Sequence, residues 1–272
     1  ACFINSVEDS IDGILDLAAR EARLFKKGSG SGTNLSSLRA SCESLSGGGT
    51  SSGPVSFMKV LDSLAGVVKS AGTCRRAARM RILDITHPAL EEFISCKAEE
   101  EKKARSLIDA GYGADFDGPT YRNLAFQNAN HSVMVDNEFM SAVENSTDIE
   151  LCTVKDDKPV KKVPAAKLLR KIAEAAWECG DPGLMFYDAI NKYNTCASDG
   201  SIVSSNPCVA GSTIIRLGDG WYDTIENLAK LGTPFETKTY NKKTNKFEVE
   251  KVTAFSSGIK DVFELETSHN CP

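Results

Sequence analysis

Apolar residues recur at helical spacing in several stretches of the chain, and short apolar runs lie between these stretches. The stretch 7–27 is typical, because its apolar residues fall on one stripe and it ends in two lysines followed by Gly28. The predicted helices are 7–27, 55–68, 87–110, 137–145 and 165–179, and the predicted strands are 1–6, 80–85 and 129–135. This alternation predicts an α/β fold with a mainly parallel sheet covered by helices.

Glycine-rich and polar stretches interrupt this pattern, and we expect loops at 28–34 and 44–54 and a surface hairpin at 150–163. The run Gly28–Gly32 could hold a phosphate on converging backbone N–H groups. It is neither a P-loop nor a dinucleotide fingerprint, because no Gly-Lys-Ser/Thr follows and it comes after a helix. A flexible linker is the alternative. The pair Arg75-Arg76 is equally open between a phosphate contact and a solvated turn.

The character of the sequence changes after Cys208. From there the chain consists of short β-prone stretches broken by turn residues, at 212–216, 235–240, 247–255 and 261–266. We therefore expect two domains, 1–207 and 208–272, of which the second is a small all-β unit.

Composition narrows the classes of function. The 272 residues are 41% hydrophobic and 25% charged, which is ordinary for a globular protein. A net charge of −5 disfavours a nucleic-acid groove or an anionic membrane surface. No apolar run approaches the ~20 residues that span a bilayer, and the start has no signal pattern. We expect a cytoplasmic protein without nucleic-acid or membrane partners, and we interpret both abrupt ends of the chain as truncations.

Nine cysteines raise the question of thiol chemistry. They are Cys2, Cys42, Cys74, Cys96, Cys152, Cys179, Cys196, Cys208 and Cys271, and they form no CxxC pair. With three histidines, a metal site is not expected. Asn206-Pro207-Cys208 differs from the rest, since the proline restricts the loop and presents the thiol in a defined direction. An inert buried cysteine is the alternative there, and His131 is expected to be a core residue.

Several motifs follow one another in a particular order. They are ACFI at 1–4, GSGSGTNLSSLR at 28–39, TCRRAARM at 73–80, LDITHPALEEFI at 83–94, GDPG at 180–183 and Asn-Pro-Cys at 206–208. Over residues 1–208 this order resembles the large, catalytic subunit of ribonucleotide reductases. The motifs ACFI, TCRRAARM and GDPG are most similar to the adenosylcobalamin-dependent class. An iron- or manganese-radical class is the alternative.

The resemblance implies a ten-stranded α/β barrel built from two five-stranded parallel halves, with a finger loop that carries a radical cysteine. This chain would supply the first half and the finger. The implied reaction abstracts the ribose 3′ hydrogen with a thiyl radical, releases the 2′-hydroxyl as water and takes two electrons from a cysteine pair. Whether the substrate is a diphosphate or a triphosphate stays open.

The resemblance also assigns site residues. Cys208 matches the thiyl-radical position, Asn206 the amide that binds the substrate ribose, Cys2 the first reducing cysteine and Gly30 the backbone near the substrate. Effector contacts to a dNTP or ATP match Asp9 and Arg39, and a relay loop matches Ser70, Ala71, Gly72, Thr73, Arg75 and Arg76. Coupling between two such nucleotide sites is about 1–3 kcal/mol. A thioredoxin- or glutaredoxin-type reductant and a homodimer are the implied partners.

After Asn-Pro-Cys the sequence departs from the family, because the expected catalytic glutamate and second reducing cysteine do not appear. The stretches 208–215, 218–220 and 225–228 instead resemble the N-terminal block of an intein, a Hint-like domain. Cys208 would then attack the carbonyl of Pro207 in an N-to-S acyl shift. The Thr-x-x-His block is missing, since Asn270 stands where its histidine belongs, and the unit is short for a splicing domain.

Three interpretations therefore remain. The chain is a reductase fragment that is inactive without the other half of its barrel, a self-splicing precursor that reacts at Cys208, or a nucleotide-binding module without chemistry.

Overall fold

The computed structural model describes residues 2–68, 78–114, 118–206, 214–241 and 246–252. The chain divides into two compact units, residues 1–207 and 208–272. Each unit is described by itself.

The first unit is an α/β unit built on a parallel sheet. Its strands are β1 (Cys2–Asn5), β2 (Gly30–Asn34), β3 (Arg79–Asp84), β4 (Asn130–Val135), β5 (Asp148–Cys152), β6 (Pro159–Pro164) and β7 (Gly183–Phe186). Its helices are α1 (Ile11–Lys26), α2 (Gly53–Val67), α3 (Leu90–Asp109), α4 (Pro119–Arg122), α5 (Asn137–Glu144), α6 (Ala165–Cys179) and α7 (Tyr187–Lys192). The sheet has the order β1-β2-β3-β4-β7 with all neighbours parallel. Within the described ranges it is an open sheet and does not close into a barrel.

The predicted helices are confirmed, with shifts of a few residues at their ends. The helix 165–179 has the predicted bounds. The predicted hairpin is also confirmed, as β5 and β6 pair in antiparallel fashion. Amphipathic stripes and polar turns therefore carried enough information for these elements.

The prediction of a loop at 28–34 is wrong. Gly30–Asn34 is strand β2, which pairs with β1 on one side and β3 on the other and is buried along most of its length. Glycine is poor in strands, so the local sequence argued against this assignment. The strand exists because Ser31 and Thr33 fill one face of the sheet, while the glycines leave room on the other.

The main core lies between the sheet and its helices. Leu83 and Val133 from the sheet are fully buried against Leu17 of α1 and Phe93 of α3. A smaller cluster on the other face contains Ile82, Met134 and Met185. The two clusters show that successive residues of each strand point to opposite sides, as the pleat requires.

A buried ionic network accompanies the main core. Arg81 makes two hydrogen bonds to the Glu21 carboxylate at 2.9 and 2.7 Å, and Arg79 bonds to Asp62 at 3.0 Å and to the Leu61 carbonyl at 2.6 Å. Burial raises the pKa of Glu21, but the charges of Arg81 and Arg79 outweigh it, so this pKa lies below its usual value. Burial and the charge of Arg81 lower the pKa of Arg79 to about 10. Glu21 and Arg79 are therefore charged at neutral pH.

In its described ranges, 214–241 and 246–252, the second unit contains two antiparallel pairs and one short helix. Strands β8 (Ile214–Arg216) and β9 (Tyr222–Thr224) form one pair, and β10 (Phe235–Asn241) and β11 (Lys246–Val252) form the other. Helix α8 (Ile225–Leu231) lies between them in sequence. The prediction of an all-β unit is wrong, because the Thr224 side chain caps a helix there and accepts a hydrogen bond from Asn227 N at 3.3 Å. The predicted strand at 261–266 lies outside the described residues.

Candidate functional site

The two faces of the sheet have different chemical content. The face covered by α1, α2 and α3, here called the helix side, carries the main core and the ionic network. The opposite face, here called the far face, receives the alternate residues of each strand. These are Gly30, Gly32 and Asn34 of β2, Met80, Ile82 and Asp84 of β3, Asn130, Ser132 and Met134 of β4, and Gly183 and Met185 of β7.

A segment of irregular chain lies across the far face. This crossing segment, Ile202–Asn206, runs against β2 so closely that a Cβ on Gly32 would lie 2.0 Å from the Ser205 carbonyl oxygen and 2.9 Å from Ser204 Oγ. The Ser205 hydroxyl also reaches Met185 Sδ at 3.4 Å. No side chain could replace the hydrogen of Gly32 without displacing the crossing segment, which explains the glycine at this position.

Asn206 is the last described residue before the Asn-Pro-Cys cysteine. In the amide orientation that satisfies its hydrogen bonding, the side-chain oxygen lies 3.2 Å from Ser31 N and 3.3 Å from Gly32 N. The side chain is therefore held against the backbone of β2.

The structure brings three predicted site residues together at strands β1 and β2. The β1 register pairs Cys2 with Gly30, and Asn206 contacts the two residues that follow Gly30. Asp9 and Arg39 are also brought together. They form a partly buried ion pair, and Arg39 N donates to the Asp9 carboxylate at 3.2 Å. The remaining predicted residues, Cys208 and the relay loop 70–76, lie outside the described residues.

A polar cavity of about 210 Å³ opens at the carboxyl ends of β2, β3 and β4. Its lining includes Asn34, Asp84, Asp136, Tyr187 and Val203 of the crossing segment. The Asn34 amide donates to Asp84 Oδ1 at 2.8 Å, and Asp84 N donates to Ser36 Oγ at 2.7 Å. Ligands of open parallel sheets bind at this end of the strands. The sequence analysis did not assign Asn34 and Asp84 to a site, because the motifs that contain them were used only for their resemblance to the family.

The Gly-Asp-Pro-Gly motif proves to be an anchor for β7. Gly180 ends α6 in the left-handed region with φ of 84°, and Asp181 then accepts a hydrogen bond from His131 N at 3.1 Å and pairs with Lys97. A Cβ on Gly183 would lie 3.2 Å from Ser132 Oγ, so the strands approach closely there. The motif therefore helps to place strand β7 in the sheet.

The helix side holds two buried titratable groups of low reactivity, His131 and Cys96. His131 is buried, as predicted, and stacks on Phe93 at 5.0 Å, but its Nε2 has no partner among the described residues. Burial lowers the pKa of His131 well below its usual value. Burial also raises the pKa of the nearby Cys96 thiol to about 12, so this cysteine is a poor nucleophile.

The described ranges contain neither a candidate metal cluster nor a helix that could span a membrane. Within these ranges, no cluster of three or more His, Cys, Asp or Glu side chains is arranged to hold a metal ion. The helices of the same ranges include none that has both the length and the apolar character needed to cross a membrane.

Comparison with known proteins identifies the family. The family described as "Ribonucleotide reductase, barrel domain" matches residues 1–211, and the chain belongs to it. A vitamin B12-dependent ribonucleotide reductase of Rhodopirellula baltica is 52% identical over 211 residues, which are 76% of this chain and 20% of that protein. The enzyme of the same description from Streptomyces avermitilis is 46% identical over 251 residues, 92% of this chain and 25% of that protein.

A more distant relative has a more specific description. The vitamin B12-dependent ribonucleoside-diphosphate reductase of Mycobacterium tuberculosis is 36% identical over 208 residues, 76% of this chain and 27% of that protein. The chain spans about a quarter or less of the length of the first two of these curated relatives.

Proposed function

We propose that this chain is part of the catalytic subunit of an adenosylcobalamin-dependent ribonucleotide reductase, which reduces ribonucleotides to deoxyribonucleotides. The family membership and the B12-dependent relatives support the reaction and the cofactor. One structural observation carries the proposal for the site. The crossing segment brings Asn206 against β2, one strand away from Cys2, so the residues assigned to the sugar and to its reduction share one region.

The residues of this chain would have the following roles. The Cys208 thiyl radical takes the ribose 3′ hydrogen atom and returns it after reduction. Asn206, held through its oxygen, presents its N–H group to a ribose hydroxyl. The 2′-hydroxyl leaves as water, and Cys2 with a second cysteine outside this chain supplies two electrons and becomes a disulfide.

Adenosylcobalamin would supply the radical at Cys208. The described histidines would not hold the cofactor, because His87 is buried and bonded to Leu38 and His131 is buried in core contacts. Gly30 keeps a side chain of β2 off the far face beside Cys2, which favours the approach of a sugar there, whereas the space above Gly32 is taken by the crossing segment.

Regulation and partners belong to the same proposal. The Asp9–Arg39 pair and the relay loop 70–76 would bind a dNTP or ATP effector. A thioredoxin- or glutaredoxin-type protein would reduce the disulfide. Ile11 and Leu15 of α1 and Val60 of α2 are exposed and apolar, which favours a homodimer through these helices. We place the protein in the cytoplasm.

The direct test is an assay of a full-length protein that contains this chain. We expect deoxyribonucleotide formation that requires adenosylcobalamin and a dithiol reductant, measured by chromatography of the nucleotide products. Diphosphate and triphosphate substrates are compared in the same assay. Absence of product under all these conditions, from a folded protein that binds nucleotide, would contradict the proposed reaction.

For the second unit we propose the beginning of an intein, with 1–207 as the N-extein and 208–272 as an incomplete Hint-like domain. The boundary between the two compact units falls at this junction, which supports the proposal. One observation weighs against it. The match to the Streptomyces avermitilis enzyme covers 92% of the chain, so it includes residues beyond 207.

Intact mass spectrometry separates these alternatives. If the second unit belongs to an intein, expression of the full-length precursor gives a product that lacks an internal segment, and Cys208→Ala abolishes that loss. The peptide bond between Pro207 and Cys208 would break as a thioester forms on the Cys208 sulfur. An unchanged precursor mass in both proteins would contradict splicing and leave the reductase proposal to its own assay.

A further inference from the structure

Asn191 of α7 makes an unusual set of contacts with the crossing segment. Its Oδ1 accepts a hydrogen bond from Ile202 N at 2.7 Å, and its Nδ2 donates to Ile202 O at 3.0 Å. The same Nδ2 donates to Tyr187 O at 3.0 Å. Both N–H groups and the oxygen of the amide are therefore used.

This pairing fixes one residue of the chain in position and in direction. Two hydrogen bonds to the N–H and C=O of one residue reproduce the contacts that a neighbouring strand would make. A single bond would let the backbone rotate about it. Because α7 follows β7 directly, the amide of Asn191 ties Ile202 to the sheet.

The residues between α7 and Ile202 supply little other support. Positions 195–201 are exposed, and their described side-chain bonds are local, such as Asn194 Nδ2 to Gly200 O at 2.8 Å. Ile202 is where this exposed loop rejoins the first unit. Immediately afterwards Ser204 is buried and Ser205 touches Gly32.

The register of the crossing segment matters for every residue that follows. A slip of one residue along β2 would remove Asn206 from the place where its side chain meets Ser31 N and Gly32 N. Cys208 is two residues further on and would move with it. Ser205 and Asn206 make the contacts that define the correct register. Both residues follow Ile202, where Asn191 holds the chain.

We propose that Asn191 is a positioning residue, which sets the register of the crossing segment on β2 and through it the place of Cys208. The role of the register in catalysis rests on the proposed reductase function. Asn191 acts through the backbone of Ile202 and does not itself contact the substrate.

The test compares Asn191→Ala with Asn194→Ala in the full-length protein. Asn194 is a matched control, because it is an asparagine of the same loop region that bonds to Gly200 and Cys196 and not to the crossing segment. Amide hydrogen exchange of residues 202–206 is measured by mass spectrometry. For Asn191→Ala we expect exchange about 10- to 100-fold faster, the factor that corresponds to two lost hydrogen bonds. The control should exchange like the wild type.

Turnover supplies a second readout that a purely structural role would not move. We expect kcat of Asn191→Ala to fall about tenfold or more with KM within about twofold, since the reacting thiol is displaced while other substrate contacts persist. If the alanine variant does not fold, Asn191→Asp keeps the acceptor for Ile202 N and should show a smaller increase in exchange.

Unchanged exchange of residues 202–206 in the folded Asn191→Ala variant would overturn the proposal. Equal acceleration in both asparagine variants would overturn it too, because it would show general loosening of the loop. If the wild type reduces no ribonucleotide, the reductase function fails, and the exchange comparison still decides whether Asn191 sets the register.

Discussion

The two faces of the parallel sheet are built from alternate residues of the same strands, yet they differ in what covers them and in which side chains they carry. On the helix side, Arg81 is fully buried and forms two bonds to Glu21. On the far face, Gly32 has no side chain, and the crossing segment occupies that space. The helix side is filled and its buried charges pair with one another, and the far face leaves room above Gly32 for another part of the chain.

This contrast teaches where stability and chemistry are located. A change on the helix side should mainly alter the free energy of unfolding, because it disturbs the core and its charges. A change on the far face should mainly alter the position of the crossing segment, and so the activity. Five experiments test this division.

The largest effect is expected from Glu21→Gln. This change leaves the guanidinium groups of Arg79 and Arg81 buried together with Asp62 as their remaining carboxylate. Removal of one partner from a buried ion pair costs about 3–5 kcal/mol. Urea unfolding of the variant and the wild type measures this difference. A loss below about 1 kcal/mol would contradict the assigned role of the network.

Acid should destabilise the helix side next. Burial lowers the pKa of both His87 and His131, so below about pH 6.5 the unfolded chain binds protons that the folded chain does not. The free energy of unfolding therefore decreases as the pH is lowered, by about 1.4 kcal/mol per pH unit for each histidine. This decrease stops when the pH reaches the pKa of that histidine in the folded protein. Urea unfolding at pH 7.5, 6.5 and 5.5 tests this.

A histidine variant provides the control for the pH series. His87→Asn removes one of the two titrations, so the pH slope should fall to about half. His87 Nε2 meets the Leu38 carbonyl at 2.9 Å, and this bond is lost as well, so the variant should also be less stable at pH 7.5. A slope equal to that of the wild type would exclude His87 as a contributor.

Gly32→Ala should act on the far face. Its Cβ would lie 2.0 Å from the Ser205 carbonyl oxygen, so the crossing segment must move. We expect a loss of stability of about 1–3 kcal/mol and a much larger relative loss of turnover. Gly47→Ala is the matched control, since a Cβ there meets nothing within 4 Å. Full activity of Gly32→Ala would contradict the division between the faces.

The smallest effect is expected from Lys162→Ala on the hairpin. Lys162 pairs with Glu150 at 3.0 Å, but both side chains are largely exposed. Water and salt screen such exposed pairs, so they add little to the free energy of unfolding. Urea unfolding should therefore hardly distinguish this variant from the wild type. A loss comparable to that of Glu21→Gln would show that burial does not rank these ion pairs.

Sequence reasoning succeeded where one element carries its own signal. The helix 165–179 was predicted at its bounds, because its apolar stripe and the glycine after it are local features. It failed for β2, whose existence depends on Glu21 from α1 and on Ser205 from a distant segment. The role of Asn191 was also missed, because a contact over 11 residues leaves no periodic pattern.

The candidate site shows the same limit. The resemblance supplied Cys2, Gly30 and Asn206 as separate assignments, and the fold brings Cys2 and Gly30 to paired strands with Asn206 against the second of them. The polar cavity with Asn34 and Asp84 was not predicted, since it forms only where the ends of three strands meet.

The most direct test of the central claim, that the reaction takes place over the far face, is thiol-dependent turnover of Cys2→Ser beside Cys42→Ser in the full-length protein. Cys42 is an exposed thiol outside the sheet and serves as the control. We expect Cys2→Ser to lose multiple turnovers with a thioredoxin-type reductant while Cys42→Ser keeps them. Equal and undiminished turnover of both variants would contradict the account.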